Sequence, residues 1–481
     1  MMIVGTRRAE STDCLTPDLQ PKTFYMQAVR EGLRAHPVAG FDPDPVKAIL
    51  HVPDSSILIT LVILGYPGET GELSEKHRLS EESPRKSPLG RECPNRRPSD
   101  ITRGLNTGTA NLIVADRRLI LVGAGHAHLT TIANLDSIVG AGVSATVTSL
   151  GSYQYYSGMG PGLLSGRYDP GDLRFNIRML CERRGARFVE GRVVGIRPGE
   201  RRIYLEDRSD FDYDVISFNI GSVVDPRSAG LSGADSLTPV KPVHRYFDAR
   251  CSISNSLNRG SVRLVVVGGG PAGVETAAIA VTLMTQGRIL KRFPARIRKI
   301  CLRKLKSLGI AVLEDHTAES CREGMVVIRG ADRVPFDYAF LATGTSPPRL
   351  FESSPLTTGR SGGLLVGRHL NSTRFPEVFG GGDCIDFEPR PLAKVGVYAV
   401  RQNQVLLDNL RAALSGQPLR PFEPQKHYHL ALNFGDGTGL SHRSPYTLGG
   451  RPAFWLKDRI DRSFVRKFQL YGEADEVVRC P

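Results

Sequence analysis

The chain has 481 residues, of which 40% are hydrophobic and 23% are charged. This composition is typical of globular proteins and excludes fibrous and wholly disordered classes. The formal net charge of +14 favours anionic partners such as nucleotides or anionic lipid, although a generally basic surface explains it equally well. No segment interleaves aromatic and basic residues, so we expect no nucleic-acid partner.

The longest apolar run, residues 57–64, is far shorter than the roughly 20 residues that a membrane-crossing helix needs. We therefore expect a cytoplasmic protein that at most lies on a membrane. Eight cysteines are scattered without a C-x-x-C pair. Their spacing predicts no metal site and no disulfide framework, and so a reducing compartment.

Residues 1–114 differ in character from the rest of the chain. Residues 65–104 are rich in Gly, Pro, Ser, Glu and Arg and show almost no apolar periodicity, which predicts disorder. The apolar run at 57–64 is strand-like but carries no recognisable chemistry. We therefore expect residues 1–114 to form a disordered N-terminal extension.

A first glycine-rich turn follows a buried strand at residues 119–122. Its sequence is Gly123-Ala124-Gly125-His126-Ala127-His128, with a helical stretch and a second apolar strand after it. Such a β-α-β unit presents backbone N–H groups and the positive end of a helix to a pyrophosphate. His128 replaces the glycine that normally permits close helix–strand packing, so we expect a wider crossing or a side chain turned away.

The same pattern returns after the apolar strand at residues 264–267. Gly268, Gly270 and Gly273 have the complete G-x-G-x-x-G spacing, and two such turns indicate dinucleotide binding far more strongly than one. Only residues 274–280 separate this turn from the next strand-like run, 281–284. This interval is short for a β-α-β crossover. Either the helix is very short, or residues 281–284 continue it and the strand is lost.

The end of each second strand normally carries an acid that binds ribose hydroxyls. That place falls near Ser149 in the first unit and near Thr285 in the second. Loss of the acid with Arg288 nearby favours NADPH slightly over NADH, although Arg288 is equally well explained as a solvated surface charge.

Three later segments extend the pattern. Two polar-led apolar strands end in glycine turns at Gly221 and Gly344, at equivalent places after the two β-α-β units. The third segment, Gly382-Asp383-Cys384, follows an apolar approach. An aspartate in this context can bind a ribityl hydroxyl, which favours a flavin.

Over residues 117–470 the chain resembles the FAD-dependent pyridine nucleotide–disulfide oxidoreductase superfamily. Within it, the resemblance is to the type II NADH dehydrogenase branch and to the flavoprotein module found alone or fused to selenide, water dikinase. The segments that carry it, beyond the two glycine turns, are 156–162, 240–243, 342–344, 382–384, 394–402 and 455–461.

The resemblance implies an α/β fold with two Rossmann-like three-layer domains, the second inserted in the first, plus a small C-terminal domain. The expected parts are a first FAD-binding part (115–250), an NAD(P)-binding domain (251–340), a second FAD-binding part (341–416) and a C-terminal domain (417–481). It also implies hydride transfer from NAD(P)H to FAD and on to a quinone-like acceptor. The alternative is a selenium-associated or regulatory flavoprotein with a degraded nicotinamide site.

The resemblance also implies roles for individual residues. Lys394 would stabilise reduced flavin, and Glu275 would lie near the nicotinamide. The cofactor-binding set comprises Gly123, Ala124, Gly125, His126, Ala127, His128, Ser149, Pro161, Val193, Gly221, Gly268, Gly270, Gly273, Gly344, Gly382, Asp383, Val395, Gly396 and Val397.

Two expectations concern the C-terminal helix and the thiols. Leu456, Ile460, Phe464 and Phe468 recur every four residues among basic residues. This stripe, within residues 454–470, fits either an anionic membrane surface or the helix's own domain. Cys384 is the only thiol beside a cofactor motif, so we expect no catalytic disulfide.

Overall fold

The structure is a computed structural model that describes residues 2–8, 34–38, 56–65, 117–224, 231–233, 237–330, 333–425, 427–470, 473, 478 and 480. The chain divides into two compact units, residues 1–106 and 107–481. Each unit is described by itself.

The first unit contains a three-stranded antiparallel sheet of order β1-β3-β2. Its strands are β1 (Met2–Arg8), β2 (Arg34–Val38) and β3 (Ser56–Gly65). Strand β3 contains the apolar run that sequence identified as strand-like. The prediction of disorder is therefore wrong for these three segments, and the rest of 1–114 lies outside the described residues.

The second unit contains two larger parallel sheets and several small ones. Its strands are β4 (Arg118–Val122), β5 (Ser144–Ser149), β6 (Tyr153–Tyr155), β7 (Arg174–Asn176), β8 (Arg187–Glu190), β9 (Val193–Arg197), β10 (Arg202–Leu205), β11 (Asp210–Asp212), β12 (Val215–Phe218), β13 (Thr238–Pro239), β14 (Leu264–Val267), β15 (Thr282–Met284), β16 (Ala311–Leu313), β17 (Ala318–Arg322), β18 (Met325–Ile328), β19 (Arg333–Pro335), β20 (Tyr338–Leu341), β21 (Leu364–Val366), β22 (Val378–Gly380), β23 (Ile385–Phe387), β24 (Leu430–Asn433), β25 (Gly439–Arg443) and β26 (Tyr446–Gly450).

Its α-helices are α1 (Leu129–Ile132), α2 (Leu135–Val139), α3 (Gly160–Leu164), α4 (Ile177–Glu182), α5 (Arg245–Leu257), α6 (Pro271–Ala277), α7 (Ala295–Ser307), α8 (Gly396–Ser415) and α9 (Arg451–Arg466). Within the described residues, none of these helices has both the length and the apolar run that would let it cross a membrane.

The first large sheet has the order β22-β12-β4-β5-β8 with every pairing parallel. Strand β4 is buried over its last four residues and β12 over all four, as expected of strands covered on both faces. Strand β22 follows the second domain in sequence yet completes the first sheet. This connection confirms that the second domain is inserted in the first.

The second large sheet has the order β13-β20-β14-β15-β16, again parallel. This sheet decides between the two predictions for the short crossover at residues 274–284. Helix α6 spans only seven residues, and β15 still pairs with β14 through Val265 and Thr282. The prediction of a very short helix is therefore confirmed, and the strand is present.

The C-terminal part consists of the antiparallel sheet β24-β25-β26 and helix α9. The predicted apolar stripe is wrong as a single face of this helix. Ile460 is 45% exposed, Leu456 and Phe464 are half-buried, and Phe468 lies beyond the end of the helix. The helix buries a different line of residues, namely Ala453, Phe454, Lys457, Asp461 and Val465.

A disulfide joins Cys251, in α5, to Cys480. The cysteine spacing predicted no disulfide framework, and it gave no sign of this single bond. The two residues are 229 positions apart, and sequence spacing detects only local pairs. The bond ties the end of the chain to the helix that precedes β14.

The glycines of the second turn differ in what they tolerate. A Cβ atom on Gly273 would lie 1.9 Å from the carbonyl oxygen of Gly268, whereas one on Gly270 would meet nothing within 4 Å. Gly273 therefore permits helix α6 to pack against the strand end, and Gly270 leaves open space.

We predict that Gly273→Ala lowers the free energy of unfolding by about 1–3 kcal/mol or more, because the backbone must shift to relieve the clash. The matched variant Gly270→Ala should cost less than about 1 kcal/mol. Urea unfolding followed by circular dichroism measures both. Equal losses for the two variants would contradict this assignment.

Candidate active site

The first glycine turn lies against the chain that leaves β12. Gly123 adopts φ +83°, and its N–H donates to the carbonyl of Thr148 at 2.7 Å. The N–H of Gly125 donates to the carbonyl of Asn219 at 3.3 Å. A Cβ on Gly125 would lie 2.3 Å from Asn219 Oδ1. Both glycines are therefore required by this close backbone approach.

Asn219 joins three segments of the first domain. Its Oδ1 accepts from the N–H of Ala127 at 2.9 Å, and its Nδ2 donates to the carbonyl of Gly381 at 2.6 Å. The side chain is buried, so these bonds lie where water does not compete for them. The sequence predicted the strand and glycine turn around Asn219 but no role for Asn219 itself. Its position directly after β12 was the available signal.

His128 occupies the third-glycine position without turning away from the sheet. Its Nδ1 lies 2.6 Å from the Gly123 carbonyl oxygen and its Nε2 2.8 Å from Ser217 Oγ. Burial lowers the pKa of His128 to about 4, although the Gly123 carbonyl acts in the opposite direction. A neutral imidazole thus fills the space that a glycine would leave open.

His126 is buried beside the same turn, and its Nε2 has no hydrogen-bond partner. Its ring centroid lies 5.2 Å from that of Tyr156 and 6.1 Å from that of Phe464. Burial lowers its pKa to about 4, against the opposing charge of Asp383. An unpartnered buried nitrogen at this position is a hydrogen-bonding group available to a ligand.

Asp383 lies at the centre of a buried polar group. Its Oδ2 accepts from Lys241 Nζ at 2.6 Å and from Ser222 Oγ at 2.8 Å. Burial raises the pKa of Asp383, but Lys241 and Ser222 outweigh burial and hold it below its usual value. Lys241 follows β13 of the second large sheet and Asp383 follows β22 of the first, so this ion pair links the two large sheets. Sequence reasoning missed Lys241, whose segment served only as a mark of the resemblance.

The helix expected after Lys394 is present. Val395 caps α8, which includes Gly396 and Val397, and Gln402 of α8 accepts the N–H of Gly382 at 2.7 Å. The ammonium of Lys394, however, is bound by Asp386 Oδ1 at 2.9 Å and by the Ile385 carbonyl. Its charge is largely offset, so the structure favours the helix N–H groups over this ammonium as a source of positive potential.

Cys384 is fully buried, and its thiol donates to the carbonyls of Gly381 and Phe218. Burial raises its pKa to about 12. A thiol with so high a pKa supplies almost no thiolate at neutral pH, so Cys384 is a poor nucleophile.

The remaining predicted cofactor residues lie along the two sheets. Gly268 adopts φ +129°, and a Cβ there would lie 2.2 Å from the Ala342 carbonyl. Gly221 and Gly344 have positive φ angles, and a Cβ on either would meet nothing within 4 Å. Open glycines at the carboxyl edge of each parallel sheet are where dinucleotides approach the backbone.

The last predicted positions lie in the first glycine turn and in three further elements. Ala124 is buried in the first turn and Pro161 in α3. Ser149 ends β5, and Val193 begins β9. The adenosine-binding role of Ser149 and Val193 stays a prediction.

Glu275 lies on α6 facing the C-terminal part. Its Oε1 accepts the N–H of Asn433 at 2.8 Å. Burial raises the pKa of Glu275 to about 7, although Lys457 and that N–H act to lower it. Glu275 is therefore a carboxyl that is poised to exchange a proton near neutral pH.

Lys457 and Asp461 form a buried ion pair on α9 that sequence reasoning missed. The Nζ–Oδ2 distance is 2.5 Å, and Nζ also donates to the Gly158 carbonyl at 2.6 Å. Burial lowers the pKa of Lys457, but Asp461 and Glu275 outweigh burial and raise it. Tyr156 donates to Asp461 Oδ1 at 3.1 Å, which links this pair to the ring contact with His126.

Comparison with known proteins agrees with this geometry. The sequence profile described as pyridine nucleotide-disulphide oxidoreductase matches residues 117–403. Ferroptosis suppressor protein 1 of Taeniopygia guttata is 26% identical over 301 residues, 55% of this chain and 74% of that protein. A type II NADH:quinone oxidoreductase of Staphylococcus saprophyticus is 22% identical over 399 residues, 75% of this chain and 98% of that protein.

Solved structures share the fold. The sulfide:quinone oxidoreductase of Aquifex aeolicus has a TM-score of 0.62 at 15% identity, covering 73% of this chain and 92% of that one. NDH2 from Plasmodium falciparum in complex with NADH has a TM-score of 0.61 at 15% identity, covering 74% and 99%.

Proposed function

The chain belongs to the pyridine nucleotide-disulphide oxidoreductase family, and from that premise we propose that it is an FAD-dependent enzyme that oxidises NAD(P)H and reduces a quinone. The observation that carries the proposal is the presence of two parallel sheets, each with a glycine turn after its central strand, together with buried Asp383 and its partners Lys241 and Ser222. The relatives named as NADH:quinone oxidoreductases support a nicotinamide nucleotide as the electron donor and a quinone as the acceptor.

The residues of the first sheet fit FAD. Gly123 and Gly125 would hold the pyrophosphate, Gly221 leaves open backbone, and the unpartnered Nε2 of His126 supplies a hydrogen-bonding group. Asp383 would bind the ribityl hydroxyls while Lys241 and Ser222 keep it ionised. When bound, FAD supplies two-electron acceptance from a nicotinamide and electron donation to a second acceptor.

The second sheet would hold the nicotinamide nucleotide over Gly268, Gly270 and Gly273. Because β15 still pairs with β14, a crevice remains between the second glycine turn and the carboxyl end of β15, which is where such ligands bind. This strand favours a working enzyme over the alternative of a regulatory flavoprotein with a degraded nicotinamide site.

Electrons would leave directly to an outside acceptor. Among the described residues the free cysteines are Cys181, Cys301, Cys321 and Cys384, and each is buried. Burial raises the pKa of Cys384, the thiol beside Asp383, to about 12. An exchange of electrons through a dithiol would need two accessible thiols beside the cofactor.

Reduction of a quinone to a quinol takes two electrons and two protons. The hydride of NAD(P)H would bring both electrons and one of the protons. Glu275 would supply the other proton, because its pKa of about 7 leaves it partly protonated at neutral pH. The buried ammonium of Lys457 lies close enough to stabilise the carboxylate that remains after proton donation.

A quinone dissolved in lipid would require contact with a membrane surface. Helix α9 exposes Trp455 by 61% and Ile460 by 45%, and the guanidinium of Arg459 lies over the Trp455 ring. Exposed aromatic and aliphatic side chains beside arginines fit the interface of an anionic membrane. Of the predicted stripe, this face retains Ile460, to which it adds Trp455 and Arg459.

We predict that purified protein carries FAD and that anaerobic NADH or NADPH bleaches the flavin absorbance. A soluble quinone should then restore it. Visible spectroscopy under anaerobic conditions, with dithionite as the reference reductant, measures both steps. If dithionite bleaches the flavin but neither nucleotide does, the dehydrogenase proposal is contradicted.

We predict that Glu275→Gln lowers quinone reductase turnover by about 10²-fold, because the proton donor is lost. In the unmodified enzyme, turnover should fall as pH rises above about 7, since the protonated carboxyl is the donor. The variant should lose this pH dependence.

Ferricyanide is the matched control acceptor, because it takes electrons without protons. Its reduction should be unaffected by Glu275→Gln. Equal losses with both acceptors would assign Glu275 to nucleotide binding or folding instead of proton donation.

A further inference from the structure

We propose that the nicotinamide-nucleotide site selects NADPH over NADH and that Arg288 binds the 2′-phosphate. The inference rests on the proposed function and specifies which substrate the same site takes. It depends on the end of β15 and on the loop that follows it.

The end of β15 lies directly against the second glycine turn. The N–H of Gly268 donates to the Met284 carbonyl at 2.8 Å. A Cβ on Gly269 would lie 2.6 Å from Thr285 Oγ1, so the Thr285 side chain touches the turn. In dinucleotide folds this residue faces the adenosine ribose, and an acid here selects NADH through the 2′-hydroxyl. Thr285 offers no negative charge to repel a 2′-phosphate.

The charged residues that follow Thr285 are all basic. Residues 285–299 contain no carboxylate. The loop is held at the site, because the N–H of Leu290 donates to the Gly269 carbonyl at 2.8 Å. Arg288 is exposed two residues before that contact. The cations of the segment are Arg288, Lys291, Arg292, Arg296, Arg298 and Lys299.

The nearest carboxylates follow the neighbouring strand β16 and are engaged elsewhere. Glu314 Oε1 accepts from the N–H of Ile289 at 2.8 Å and from Arg298 Nε at 3.0 Å, and Oε2 accepts from the same guanidinium. Asp315 is exposed, and its charge also acts on Arg298. Glu314 would have to give up these bonds to bind ribose hydroxyls. The guanidinium of Arg288 forms no salt bridge among the described residues, although its charge helps to lower the pKa of Glu314.

The test compares binding of adenosine 2′,5′-bisphosphate and 5′-AMP to the purified holoenzyme by calorimetry. We expect the bisphosphate to bind at least about tenfold more tightly, because it adds a charge-assisted contact. Arg288→Ala should remove this difference and leave 5′-AMP affinity unchanged. Arg183→Ala, which removes an exposed arginine at the end of α4 in the first domain, is the matched control and should preserve it.

A second variant tests the missing acid. Thr285→Asp places a carboxylate against the turn and should reverse the ratio of kcat/KM for NADPH and NADH. Tighter or equal binding of 5′-AMP, or no binding of either probe, would overturn the inference. If the bisphosphate preference holds while neither NADH nor NADPH reduces the flavin, the inference stands and the proposed function fails.

Discussion

The first domain depends on one buried amide, that of Asn219. Its backbone carbonyl accepts the N–H of Gly125, and its side chain joins Ala127 to Gly381. Buried and fully paired polar groups specify a unique arrangement, because any alternative leaves a donor or acceptor unsatisfied. The glycine turn and the Gly382–Cys384 segment thus meet at one place although they are far apart in sequence.

The buried polar groups form a connected series around this place. Asp383 pairs with Lys241, which follows β13 of the second large sheet, and His126 lies near Asp383 and contacts the Tyr156 ring. Tyr156 donates to Asp461, which pairs with Lys457. Buried ion pairs add little net stability, since desolvation offsets their attraction. Their retention here is better explained by the positioning of groups that bind cofactor and move protons.

Both glycine turns were predictable from sequence, because close backbone approach restricts Gly123, Gly125, Gly268 and Gly273 to glycine. The insertion of one domain in the other was implied by the family resemblance. The roles of Lys241 and Lys457 were not predicted. The partner of Lys241, Asp383, lies on a distant segment. Lys457 and its partner Asp461 lie on a buried face of α9 that the apolar periodicity did not indicate. The pairing of Cys251 with Cys480 spans 229 residues and has no local signal. Such contacts depend on tertiary packing, which spacing in one sequence does not encode.

We propose that Asn219 assembles a single FAD site from two distant segments. The most direct measurement is the FAD dissociation constant of Asn219→Ala, determined by flavin fluorescence, beside a thermal melt of the same protein. We expect folded Asn219→Ala to bind FAD at least about tenfold more weakly, since two buried hydrogen bonds are lost. Unchanged FAD affinity in the folded variant would contradict it.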